Sequence, residues 1–164
     1  MTIEELEDYG MVRMEESDLR GFLSSQRVGV LALPAADAPT MRPLSYTFDG
    51  DSRLYFRFVL GSTSEKKTLT DRVDVARFLV FRTDTRYNWA SVLLTGTIEA
   101  VSAGEQDRLG IDLKQVRRPD LFEQAEETVA THLYRFEIEA GVGLKHHGLP
   151  PGFEADSSEI RSEE

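Results

Sequence analysis

At 164 residues, 40% of them hydrophobic and none cysteine, the chain can bury one real core but can form neither a disulfide nor a thiolate metal site. Its formal charge of −10 sits mainly at the ends. Residues 1–18 hold seven acids and one base, and residues 154–164 hold five acids and one base, leaving seventeen of each sign between. A near-neutral body argues against nucleic-acid binding, and no apolar run is long enough to span a bilayer.

The start, Met1-Thr2-Ile3-Glu4-Glu5, is acidic and unlike a secretory signal, so a cytoplasmic protein is expected. Acidity with only four lysines would also suit a high-salt cytoplasm. In chain order, Ser17 caps a short amphipathic helix to Ser25, with Leu19, Phe22 and Leu23 inward. Strands are expected over 28–33, 40–48 and 53–60, the last two joined by the hairpin turn Asp49-Gly50-Asp51-Ser52. A helix over 63–70 follows, then a strand over 73–81 alternating around Val75, Arg77 and Leu79. The next strand, 89–101, carries Gly96 at a bulge or a close backbone approach. Ser102-x-x-Glu105 is a capping box opening a helix to about Val116, and Pro119 starts a second short one. The last strand runs over 131–140. The glycines, prolines and acids beyond Gly141 read as a loosely held tail. The expected division is an acidic arm 1–16, a domain 17–140 and an acidic tail 141–164. Six strands joined mainly by hairpins, with helices between particular pairs, make a mainly β antiparallel barrel with added helices. The first three have no helical spacer, which a parallel sheet could not do.

The junction after the third strand carries the most chemistry. Gly61 ends an apolar strand, and Ser62 with Glu65 stands at capping-box spacing, so Thr63 opens a helix with free N–H groups. Those groups, the hydroxyls of Ser62, Thr63 and Ser64, and the ammonium groups of Lys66 and Lys67 would seat a phosphate. A plain strand-to-helix turn with solvated lysines is the other reading. Arg57 shares a strand face with Tyr55 and Val59, opposite the core residues Leu54, Phe56, Phe58 and Leu60, and if covered it needs an anion, from a ligand or a nearby carboxylate. His132 alternates with Tyr134, Phe136 and Ile138 on an apolar face. His146 and His147, being adjacent, point oppositely and are poor joint metal ligands, which leaves a pocket role open. No HExxH, GxSxG or GxGxxG is present, and no metal site is expected.

Four segments in order carry a resemblance: Val28-Gly29-Val30-Leu31-Ala32, Met41 to Tyr46, the aromatic strand with Gly61 to Lys67, and Trp89-Ala90-Ser91-Val92 with Gly96. Over about residues 17–140 the chain resembles the pyridoxamine 5′-phosphate oxidase-like FMN-binding split barrels. The resemblance implies a six-stranded antiparallel split β-barrel, a homodimer, and FMN in a groove between subunits. It sets Arg42, Pro43, Leu44 and Ser45 beside the flavin ring, with the Leu44 and Ser45 amides as donors to its polar edge. Pro43, lacking an N–H, weakens local pairing and otherwise simply marks a bulge or sheet edge. Ser64 and Lys66 fall at the family's phosphate-binding positions, with Lys67 competing. Ser91 falls near the cofactor of the other subunit, and Trp89 either at that groove or in a core or interface. Arg42, able to pair bidentately with a phosphate or a carboxylate, and Arg57 are expected as further phosphate partners. The implied activity is FMN-dependent oxidoreduction of an unknown small molecule, with hydride transfer at flavin N5. No general acid stands out, so a non-catalytic flavin-binding or sensor module remains open, as does a haem- or deazaflavin-binding relative. No second phosphate site is visible near the C-terminus, which speaks against pyridoxamine phosphate as substrate.

Overall fold

The computed structural model describes residues 10–59, 73–109 and 131–148. Among the described residues seven antiparallel strands are joined in one sheet: β1 (Met11–Arg13), β2 (Val28–Leu33), β3 (Thr40–Phe48), β4 (Arg53–Val59), β5 (Val73–Thr85), β6 (Asn88–Ala100) and β7 (Thr131–His147). Their order is β1-β7-β4-β3-β2-β5-β6, and a β6–β7 pairing closes six of them into a barrel with β1 outside. Two helices are described, α1 (Glu16–Ser25) and α2 (Ala103–Leu109). The six-stranded antiparallel barrel expected from the sequence is therefore the observed one, with an outer strand added.

Alternation along the strands fills the interior. Leu31, Leu54, Phe56, Phe78, Val80, Val92, Leu94 and Phe136 are all 0% exposed. Phe56 stacks on Phe78 and Tyr134, with ring centroids 6.0 and 6.1 Å apart, and Tyr46 meets Phe78 edge-on at 5.5 Å. Each such pair contributes about 0.5–1.5 kcal/mol beyond its buried area. Tyr55, read as facing away from the core, is also buried, because a second cluster with Val101 and Leu133 covers that side of β4.

Local chemistry sets the ends of the elements. The carboxylate of Asp49 accepts N–H bonds from Asp51, Ser52 and Arg53 at 2.8 to 3.0 Å, and Gly50 takes φ +89°, which forms the β3–β4 hairpin. Ser102 caps α2 by accepting from the Glu105 N–H. The helix near Thr63, the one starting at Pro119 and the end at Val116 lie outside the described residues.

Helix α1 closes one end of the barrel, burying Phe22 and Leu23. The Tyr46 hydroxyl donates to Leu23 O at 2.7 Å, and burial pushes its pKa above the ordinary phenol value. The helix begins before the expected cap: Glu15 holds the N-cap position and Ser17 is inside the first turn. The Met14 N–H is bonded to Gly143 O at 2.8 Å, which delivers the chain from β1 directly into the helix.

The last strand also exceeds its reading. Residues 141–147 are not loose; they pair with β6, and 144–146 pair with β1 as well. The glycines taken as loop signals are close-approach sites. A Cβ on Gly143 would lie 2.7 Å from Met14 Sδ, and one on Gly141 3.0 Å from Leu94. Gly96 is as expected: the register shifts beside it, and a Cβ there would sit 1.9 Å from Glu137 O. Across that shift Thr95 pairs with Ala140 and Gly96 with Ile138, so Glu139 is the extra residue and β7 exchanges its inner and outer side chains.

Candidate functional site

Strands β3 and β4 pair only from Tyr46–Phe56 to Phe48–Leu54. Beyond that point they part: β3 stays on β2 back to Thr40, while β4 stays on β7 out to Val59. Continuing their register would set Ser45 opposite Arg57 across the opening. The Tyr46 N–H bonds Arg27 O on the β2 side. Alternation therefore turns the Leu44 N–H to β2 as well, and directs the Ser45 N–H and the N–H that Pro43 lacks into the opening. A proline costs no ladder bond there. Of the two amides assigned to a ring edge, only that of Ser45 faces the gap.

The four-residue β3 segment is divided between two faces. Pro43 and Ser45 lie outside the barrel beside Val30 and Val28, their β2 partners. Leu44 packs against the core, and Arg42, in step with it, is exposed at the barrel end. On the far side of the opening Arg57 stands opposite Leu133, and its Nε is buried with no hydrogen-bond partner among the described residues. An orphaned guanidinium nitrogen in a covered place calls for an acceptor. It suits an anionic group such as a flavin phosphate, so the residues present fit that cofactor. Ser62, Thr63, Ser64, Lys66 and Lys67 lie outside the described residues.

Trp89 and Ser91 are on the outer face of β6. Between them and β3 stand β2 and β5, three strand spacings or about 14 Å. One chain thus does not bring the β3 and β6 residues together. Trp89 stacks on His146, its cross-strand partner, at 6.3 Å, and His146 Nδ1 lies 2.6 Å from Tyr87 O. His146 is buried, a position that reading the tail as loose could not supply. The side chains of His132 and His147 lie outside the described residues.

Sequence reasoning also passed over the apolar outer surface joining these parts. Val28, Met41, Val75, Phe81, Leu93 and Val142 are 38–60% exposed there. Register runs Pro43–Val30–Leu79–Leu93–Val142 across five strands. The signal was present in β5, whose Phe78-Leu79-Val80-Phe81 run is apolar on both faces. Among the described residues no group of side chains could hold a metal ion, and no helix is long and apolar enough to cross a membrane.

Comparison with solved structures finds the same fold. A FAD-binding protein from Mesorhizobium loti matches with TM-score 0.63 and 19% identity over 82% of this chain and 97% of that one. A FAD-binding protein from Mycobacterium smegmatis matches with TM-score 0.60 and 13% identity, covering 84% and 100%. A FAD- and haem-binding protein of the same organism gives 0.60 and 16%, covering 86% and 75%. Comparison with curated proteins finds no match. The pyridoxamine 5′-phosphate oxidase family model matches residues 15–145, so a barrel with parted β3 and β4 and an apolar outer wall belongs to a chain of that family.

Proposed function

We propose that the protein is a flavin-dependent oxidoreductase that binds FMN between two copies of itself and acts on a small molecule. The carrying observation is the buried, unpartnered Nε of Arg57 beside the opening between β3 and β4. When bound, the flavin supplies hydride transfer at its N5. The chain's own residues do the positioning. Arg57 holds the phosphate by charge-assisted hydrogen bonding, the Ser45 N–H and hydroxyl meet the polar ring edge, and Val28, Val30 and Pro43 exclude water from one side. Ser91 and Trp89, too far away within one chain, are contributed by the second copy. The apolar wall over β2, β5 and β6 supports that association, since exposed apolar patches of this kind mark partner surfaces. Similarity to flavin-binding proteins of the same fold supports the cofactor class.

The test is an absorbance spectrum of the purified protein, followed by extraction and mass identification of the chromophore. A flavin spectrum with released FMN is expected. A Soret band, a deazaflavin, or no chromophore with no FMN affinity would refute the reading. Arg57→Leu should weaken FMN binding by about tenfold or more.

A further inference from the structure

At the end of the barrel where β5, β6 and β7 finish, a groove of about 410 Å³ opens beneath α1. Its volume is at the lower end of small-molecule sites, and barrel mouths are a preferred place for them. Arg82 continues the inward face of Phe78 and Val80, Asn88 that of Ala90 and Val92, and Lys145 that of Gly143, so three strand ends aim polar groups into one space. Phe22 and Trp89 form apolar walls beside them.

The polar groups are mostly donors. Arg82 meets Asp84 through Nε at 3.2 Å, and its terminal nitrogens make no hydrogen bond among the described residues. The Asn88 amide lines the cavity and likewise makes none among those residues. Lys145 gives Nζ to Asp18 at 2.5 Å, which leaves further N–H groups. Asp18 is the one carboxylate lining the space, and it is already engaged. The Arg82–Asp84 pair is half exposed and weak, so it can yield to a better acceptor.

We infer that this cavity is a binding site for a small organic carboxylate, its acid group on Arg82 and Asn88 and its apolar body against Phe22 and Trp89. The site shares Trp89, and no other residue, with the flavin site proposed between two copies, and in that residue it rests on that reading.

Trp89 is the single tryptophan, so its fluorescence reports occupancy directly. The experiment titrates the full-length protein with benzoate, followed by fluorescence and calorimetry, with benzylamine as the oppositely charged counterpart. Saturable benzoate binding is expected, with none for benzylamine. Arg82→Gln and Asn88→Ala should each weaken benzoate by about tenfold, with melting temperature and flavin content unchanged. No saturable benzoate binding, equal binding of benzylamine, or affinity unchanged in both variants would overturn the assignment. Loss of flavin together with benzoate binding would also overturn it, by showing one site instead of two.

Discussion

The barrel wall turns two chemically opposite surfaces outward. Where β4 and β7 meet β6, Arg135 binds Glu99 at 2.8 Å and also Glu105 and Glu137, while Arg53 binds Glu137 at 3.1 Å. Those pairings tie α2 to the sheet and leave a charged surface complete in water. Where β2, β5 and β6 run side by side, the same kind of surface is apolar and uncovered. The seam between them on β7 is the extra residue Glu139 opposite Gly96, where one inserted position exchanges the inner and outer faces. In the proposed dimer the finished surface faces water and the unfinished one is the face reserved for the second copy.

Disturbing the seam should have the largest effect. Gly96→Ala drives a Cβ into the Glu137 carbonyl and should cost more than about 4 kcal/mol, read as failure to fold or a large fall in melting temperature. Next, Phe81→Arg with Leu93→Arg places charge on the apolar wall. Self-association, followed by light scattering, should be lost, while the monomer's stability stays within about 0.5 kcal/mol per substitution. The matching change on the charged wall, Arg135→Leu, should do the reverse. It leaves carboxylates crowded without their cation and should cost about 1–3 kcal/mol in denaturant unfolding with no change in association.

A smaller effect comes from Tyr46, which belongs to neither wall. Tyr46→Phe removes its bond to Leu23 O and should cost about 1 kcal/mol. Burial raises the folded-state phenol pKa above the unfolded value of about 10. The unfolded chain therefore releases this proton first. Stability is complete below pH of about 10 and falls above it by up to about 1.4 kcal/mol per pH unit. Tyr46→Phe should remove that part of the alkaline slope in a pH series of unfolding curves.

Elements governed by local chemistry were legible from the sequence: β2 and β3 to the residue, the Asp49 turn, the Ser102 cap and the tight place at Gly96. What escaped depended on contacts distant in sequence. Gly141 and Gly143 resemble loop residues until Leu94 and Met14 are seen against them. Ser17 looks like a cap until the Met14 bond to Gly143 fixes where the helix must begin. Tyr55 seemed to face out because the cluster covering it arrives from Val101 and Leu133. In the candidate site, alternation placed Arg57 correctly away from the core. The division of Arg42 to Ser45 between two faces, and the separation of Trp89 from them, follow from strand order, which no local pattern encodes.

The most direct measurement is an FMN titration by calorimetry of the wild-type protein against the Phe81→Arg, Leu93→Arg double variant. The expected result is a wild-type dimer binding one FMN per chain, and a folded monomer that has lost nearly all affinity. A folded monomer that binds FMN as tightly as the wild type would contradict a site completed across the apolar wall.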